Sequence, residues 1–420
     1  MTTTTFARDA GFGRLVLLSA LVGAFSAIGV LVFLGVESLM HTFIWGEEQT
    51  PLGWFSGSLT AVAIVVVASF LVGWLRKIWQ LEGVDPNFVD EMIEGEVRPQ
   101  HAARFAAIGM VSMIGGGSVG PEAPLGTLGA GIGTGVSEKV GGDQEMTKDL
   151  TFAGISSVFG GLATTPYAGP IMALEAHHER WAFSHKRLIP GLVAATVALT
   201  VLFPFAGSPF LNVYDLGEAS LEVTWIPIAI GLGVLGAFMG IIAVLSLQLA
   251  GVVREKIKNS VVRSTVAGCA IAAVGFALPV TMFSGRDQLE PILAQTATVG
   301  LGYLAVVLMA KTLVFALSMK WGFFGGPIFP LLFMGAIIGI VVNSLIPSIP
   351  LVVAVPTIAA AVSVAVVPLP LMILVLTTLL FGLSAELAVL PAVGAVTSFI
   401  LVKGTGAVPA IIKVITKNRS

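Results

Sequence analysis

Long apolar runs separated by short polar segments make up most of this chain, and they set its predicted architecture. Five of the clearest runs are residues 13–37, 57–75, 224–250, 298–319 and 331–346. A helix needs roughly 20 apolar residues to cross the hydrocarbon of a bilayer, and these runs reach or approach that length. The pattern therefore predicts an all-α, multi-pass membrane protein with about ten to fourteen spans, several of them short or interrupted.

Two breaks inside the apolar sequence share one pattern, Gly-x-x-x-Pro-x-x-x-x-Gly. The first runs from Gly117 to Gly126 and the second from Gly326 to Gly335. Glycine frees the backbone and proline suits the first turn of a helix, so each break predicts a helix that begins abruptly inside the membrane. Non-helical backbone is tolerated at that depth only where protein buries it or water reaches it. Such breaks therefore indicate a permeation site.

The first turn of each interrupted helix is the candidate binding site. Free N–H groups and the positive end of the helix dipole favour an anion there, without any cationic side chain. We predict that two segments hold the anion, mainly through backbone amides. They are Gly117, Ser118, Val119 and Gly120 in the first, and Gly326, Pro327, Ile328 and Phe329 in the second.

A second pair of matching segments supports an internal repeat. Residues 165–172 and 367–374 each contain two prolines before an apolar stretch, and each follows its glycine-proline break at a comparable distance. We predict one transmembrane domain over residues 1–420, built from inverted halves at 11–205 and 222–415, with the site at their interface. We expect no soluble regulatory domain.

Glycines recur at four-residue spacing in both interrupted helices. Gly129 and Gly133 follow the first break, and Gly335 and Gly339 follow the second. Small residues at this spacing let helices approach closely, so a structural role is predicted for them.

Composition agrees with the apolar pattern and narrows the class of protein. Apolar residues make up 56% of the chain and charged residues 11%, with a mean hydropathy of +0.96, which indicates a lipid bilayer as the surrounding medium. The net charge of -2 gives no reason to expect nucleic acid as a partner. The single cysteine, Cys269, lies in an apolar run and has no internal disulfide partner.

Lysine and arginine are concentrated in alternate polar loops, and their distribution predicts orientation. Arg8 lies before the first apolar run, Arg14 lies at its beginning, and the chain ends in a basic segment. Residues 41–56 and 206–223 contain acidic residues but no lysine or arginine. We therefore predict a protein of the cytoplasmic membrane with both termini on the cytoplasmic side.

Enzymatic and cofactor sites are not indicated. Residues 115–117 are three glycines, but the Gly-Lys-Ser/Thr of a nucleotide-binding loop does not follow them. His177 and His178 lack the spacing of a zinc motif. We expect no metal, no cofactor and no enzymatic activity. An intramembrane enzyme that uses Glu122, Glu175 and these histidines as acids and bases is the alternative from a different class.

The motifs resemble those of the CLC chloride channels and chloride/proton antiporters over nearly the whole chain. Residues 117–121 are similar to the family's Gly-Arg-Glu-Gly-Pro motif and residues 326–330 to its Gly-x-Phe-x-Pro motif. Residues 166–175 resemble the stretch leading to its internal glutamate, and residues 283–287 a glycine-rich segment. The resemblance implies a CLC-type inverted repeat with discontinuous helices, assembled as a homodimer. It also implies that each subunit transports chloride or another halide.

Several functional positions of the family differ here. Its gating glutamate would fall at Val119, and its internal proton-relay glutamate at Ala176, beside Glu175. Residues 81–86 replace its central serine motif, and the region near Val408 lacks its pore tyrosine. Proton coupling needs titratable groups along the path, so we predict passive transport of a small monovalent anion. The anion preferred and the groups that replace the lost hydroxyls stay open.

Three charged residues in apolar surroundings leave alternatives open. Glu122, three residues after Val119 on about the same helix face, is a gating candidate, which would allow proton-coupled antiport through a displaced glutamate. Otherwise it satisfies N–H groups at its own helix start. Glu175 either lines an inner vestibule, for which it is a candidate, or accepts a structural hydrogen bond from loop amides. Lys311 attracts anions or pairs with an acid such as Glu386.

Overall fold

The computed structural model describes residues 10–46, 58–82, 97–176, 185–207, 211–296 and 298–404. Within these ranges the backbone forms fifteen α-helices and one isolated β-bridge, which confirms the predicted all-α class. The helices are α1 (Ala10–Trp45), α2 (Leu59–Ile78), α3 (Pro99–Ile114), α4 (Glu122–Lys139), α5 (Gln144–Leu162), α6 (Ala168–Ala176), α7 (His185–Ala206), α8 (Trp225–Arg254), α9 (Ser260–Ala277), α10 (Arg286–Ala294), α11 (Leu301–Lys320), α12 (Ile328–Leu345), α13 (Leu351–Val366), α14 (Pro370–Leu380) and α15 (Val389–Phe399).

Seven of the described helices are long and apolar enough to cross a membrane, judged by length and composition. They are α1, α2, α7, α8, α9, α11 and α12. Shorter apolar helices cover α13, α14 and the stretch from α15 to Gly404. The five apolar runs correspond to α1, α2, α8, α11 and α12, so hydropathy located these spans correctly.

The two glycine-proline breaks start helices, as their pattern predicts. Helix α4 begins at Glu122, directly after Pro121, the proline of its pattern. Helix α12 begins at Ile328, directly after Pro327 and two residues before Pro330, the proline of its pattern. The second pair of matching segments also starts helices, α6 and α14, each two residues after the first proline of its segment. The discontinuous helices of the predicted fold are therefore present.

Backbone contacts divide the chain into two compact units. Unit 1 contains Met1–Val36, Pro86–Ala106 and Ala123–Phe210; unit 2 contains Glu37–Asp85, Ala107–Glu122 and Leu211–Ser420. These units differ from the predicted repeat halves at 11–205 and 222–415, which concern internal symmetry rather than compactness. The halves stay a prediction.

In unit 1, glycines bring α4 and α5 into backbone contact. A Cβ atom on Gly129 would lie 2.5 Å from the carbonyl oxygen of Gly154, and one on Gly133 would overlap that of Leu150. Only hydrogen fits in either place, which gives the predicted close approach its physical reason. The apolar core beside these helices contains Leu15, Val22, Leu150, Ala153 and Ala194.

In unit 2, α12 is an interior helix. All its residues from Ile328 to Ile340 are buried. Gly335 and Gly339 face α13, where a Cβ atom on Gly339 would lie 2.6 Å from the Cα atom of Val355. The start of α12 is thus held within protein rather than exposed to solvent.

Candidate functional site

The two glycine-proline motifs lie side by side in unit 2 and are joined backbone to backbone. The N–H of Gly120 donates to the carbonyl of Gly326 at 2.8 Å, and the N–H of Gly326 donates to the carbonyl of Gly120 at 2.7 Å. This reciprocal pair is the isolated antiparallel bridge. It links the residues just before α4 to those just before α12, and no spacing in the sequence signals it.

The other amides of the first motif also have protein partners. Gly117 donates to the carbonyl of Ser112, Ser118 to the hydroxyl of Ser318 and Val119 to the carbonyl of Gly117, each at 2.9 Å. Ser112 and Ser318 thereby position the loop, a role that their isolated occurrence in apolar sequence does not indicate. The prediction that these amides bind an anion would require the present bonds to exchange.

Glu122 brings a carboxylate to the start of α12. The residue is 3% exposed, and its Oε1 accepts the backbone N–H of Phe329 at 3.1 Å. The N–H groups of Ile328 and of Glu122 itself also face this carboxyl group. A helix start offers such donors to anions. The Glu122 carboxylate thus occupies donors of the kind that a helix start offers to anions.

Two glycines make room for this carboxylate. A Cβ atom on Gly120 or on Gly326 would overlap Oε2 of Glu122. Oε2 has no hydrogen-bond partner among the described residues. A buried polar atom without a partner costs about 1–3 kcal/mol. The carboxyl group therefore lies in a slot between the bridge glycines and is hydrogen-bonded on one side only.

Val119, where the motif resemblance places a gating glutamate, lies close to the second motif. It is buried, and a Cβ atom on the neighbouring Gly325 would lie 2.5 Å from that of Val119. An apolar side chain packed this tightly contributes shape but no titratable group.

The remaining candidates belong to unit 1 or lie outside the described residues. Glu175 is half-buried near the end of α6 in unit 1, and its vestibule role stays a prediction. Residues 83–86, His177, His178 and the segment around Val408 lie outside the described ranges.

Lys311 does not form the ion pair with Glu386 considered from sequence, and its attraction of anions stays a prediction. Its ammonium donates to the carbonyl oxygens of Phe283 at 2.8 Å and Met282 at 3.2 Å. Glu386 is exposed to solvent, whereas Lys311 is fully buried. Bonds to backbone carbonyl groups replace the predicted ion pair. Every residue has a carbonyl group, so the sequence does not show which ones a buried lysine meets.

Comparison with known proteins assigns the fold to a family. A family model described as voltage gated chloride channel matches residues 68–403. The chain belongs to this family. As a member it is a membrane-embedded, multi-pass protein whose activity is anion transport. The resemblance inferred from the four motifs is thereby confirmed.

Curated relatives and solved structures agree with the assignment to this CLC family. The putative ion-transport protein YfeO of Escherichia fergusonii is 25% identical over 341 residues, covering 80% of each chain. The structure of a slow cyanobacterial Cl-/H+ antiporter superposes with a TM-score of 0.79 at 18% identity, covering 96% of this chain and 98% of that one. A CLC-type fluoride/proton antiporter gives 0.77 at 18% identity, covering 95% and 98%. At such identity the structures establish the shared fold.

Proposed function

We propose that this protein transports chloride or a similar small monovalent anion passively, down its gradient, with Glu122 as a pH-sensitive gate. The observation that carries this proposal is the 3.1 Å bond from the Phe329 N–H to Oε1 of Glu122. An anion and the ionised carboxylate compete for the same donors at the start of α12. A protonated carboxyl group accepts a weaker hydrogen bond, so acidification frees the donors for the anion.

Two side chains that do not titrate support the passive mechanism. Val119 and Ala176 stand where the family has its gating and relay glutamates. A coupled proton must cross the low-dielectric interior between titratable groups. Because the relay position is apolar, a proton on Glu122 has no titratable group at that inner position to which it could be passed. Protonation of Glu122 would then open the gate without carrying a proton across the membrane.

Proton-coupled exchange through Glu122 is the second candidate. Glu122 is a buried titratable group on the donors proposed for the anion. The two similar structures are described as Cl-/H+ and fluoride/proton antiporters. Coupled movement would require that each protonation of Glu122 be tied to one anion step.

The proposal extends to assembly and orientation. We expect a homodimer in the cytoplasmic membrane with both termini on the cytoplasmic side and one anion pathway per subunit. Residues 117–120 and 326–329 would line that pathway, with Glu175 at an inner vestibule. We expect no enzymatic activity.

Purified protein in liposomes tests the proposal. Chloride and fluoride efflux are followed with ion-selective electrodes while a pH electrode records proton movement. We expect wild-type anion flux to rise on acidification, and Glu122→Gln to give fast flux at every pH, because glutamine is never ionised. Glu386→Gln, which changes an exposed glutamate, is the matched control.

Three results would decide against parts of this mechanism. Vesicles impermeable to every monovalent anion reject transport at this site. An unchanged flux and pH response in Glu122→Gln rejects Glu122 as the gate. Stoichiometric uphill proton pumping driven by a chloride gradient rejects the passive mechanism and favours the second candidate.

A further inference from the structure

Lys311 is a buried charge that the proposed transport mechanism leaves unused. It lies in α11 and is fully buried. Its ammonium bonds the carbonyl oxygens of Met282 and Phe283 and lies 5.0 Å from the centre of the Phe333 ring. A buried ammonium requires such compensation, here from two carbonyl dipoles and a cation–π contact. Lys311 therefore holds a backbone turn.

This turn has a strained backbone. Phe283 has φ +55, in the left-handed region that bulky residues rarely adopt. Its ring makes edge contacts with His41 at 5.2 Å and Trp45 at 5.5 Å between ring centres. Strained conformations persist where their surroundings over-determine them, and they are concentrated at functional sites. The bond from Lys311 is one of the contacts that keep Phe283 in this conformation.

This backbone turn contacts Gly116, the residue that precedes the first motif. The N–H of Phe283 donates to the carbonyl of Gly116 at 3.3 Å. Gly116 has φ +82, and a Cβ atom there would overlap the Cε atom of Met282. Only glycine fits this conformation beside this methionine. Movement of the turn would therefore displace Gly116 and, through it, Gly117.

Helix α11 holds the same loop at a second point. Ser318 is seven residues after Lys311, two helical turns along the same face. Its hydroxyl accepts the N–H of Ser118 at 2.9 Å. One face of α11 thus holds the loop directly through Ser318 and indirectly through the turn that Lys311 binds.

We propose that Lys311 is a positioning residue for anion transport. By holding the carbonyl groups of Met282 and Phe283, it fixes the turn against Gly116 and thereby the backbone that reaches the bridge at Gly120. The inference rests on the proposed function, because it takes the bridge and the adjoining start of α12 as the anion site. Methionine at position 311 would fill a similar volume but leave both carbonyl groups without this donor.

Flux measurements on three lysine variants test the proposal. Initial rates of chloride and fluoride efflux are measured per folded protein over a range of anion concentrations. We expect Lys311→Met to lower the maximal rate at least about tenfold and to change the chloride-to-fluoride ratio, because a displaced loop changes the site's dimensions. Lys311→Arg, which keeps the donors, should recover both. Lys320→Met removes a lysine from the end of the same helix and should match the wild type.

The outcomes separate this inference from the proposed function. The inference is overturned if Lys311→Met keeps the wild-type maximal rate and chloride-to-fluoride ratio. It is also overturned if Lys311→Arg does not recover them. A merely structural role would lower the yield or thermal stability and leave the ratio per folded protein unchanged, which also overturns it. If the methionine variant does not fold, a folded Lys311→Gln with wild-type rate and ratio has the same meaning. A wild-type protein without anion flux overturns the proposed function first.

Discussion

Replacing Gly326 with alanine adds a methyl group to the slot that holds the Glu122 carboxyl group. The new Cβ atom would overlap Oε2 and lie 2.6 Å from Cδ and 3.0 Å from Cβ of Glu122. Oε2 and Cδ belong to the carboxyl group, which side-chain rotation can move, whereas the contact with Cβ requires the bridge backbone to shift by a few tenths of an ångström. We therefore expect the carboxylate to leave the N–H of Phe329 and α12 to keep its position.

The size of the effect follows from the bond that is lost. A hydrogen bond to a charged group contributes about 1.5–3 kcal/mol. Since 1.4 kcal/mol corresponds to a factor of ten, occupancy of the slot by the carboxylate should fall roughly ten- to a hundredfold. If that occupancy limits flux at neutral pH, chloride efflux from liposomes containing Gly326→Ala should approach the acidic rate across the whole pH range.

Two further variants make the test specific. Gly120→Ala should act in the same way, because the three atoms nearest to its Cβ also belong to Glu122. Gly302→Ala, in α11, meets no atom within 4 Å and should behave as the wild type. The reasoning is refuted if Gly326→Ala keeps the wild-type pH profile, or if it is slower at every pH, which would mean that the methyl group blocks the anion.

Two stability predictions concern the contacts around the site and the helix packing. Ser318→Ala should lower the free energy of unfolding by about 1–3 kcal/mol, because the buried N–H of Ser118 loses its acceptor; an unchanged apparent Tm in detergent would contradict this. Gly133→Ala should destabilise by about 1–3 kcal/mol, because its methyl group would press on the backbone of Leu150. Gly13→Ala, with open space around it, is its control, and equal Tm values for the two would count against the packing argument.

Much of the architecture is predictable because local chemistry decides it. Apolar runs of sufficient length locate the long spans, and glycine followed by proline locates the starts of α4 and α12. Four-residue glycine spacing indicates where α4 meets α5. Each of these features depends on residues that are near one another in the chain, so periodicity and composition are enough to find it.

The contacts that build the candidate site are of another kind. Gly120 pairs with Gly326, Ser118 with Ser318, and Lys311 with the carbonyl group of Phe283. Most of these partners are backbone groups, which every residue has. A sequence therefore shows that a buried lysine needs acceptors but does not show which ones it meets, and an acid such as Glu386 is only the most visible choice.

Glu122 shows why a changed motif residue and a changed function are separate matters. Compared by motif position, valine at 119 removes the gating carboxylate. Compared by position in space, the Glu122 carboxylate reaches the start of α12 from three residues further along, since Gly120 and Gly326 leave room for it. A side chain at either glycine would force Glu122 to point elsewhere. The glutamate and the two glycines therefore form one unit, and a gate at position 122 is expected only in chains that have all three.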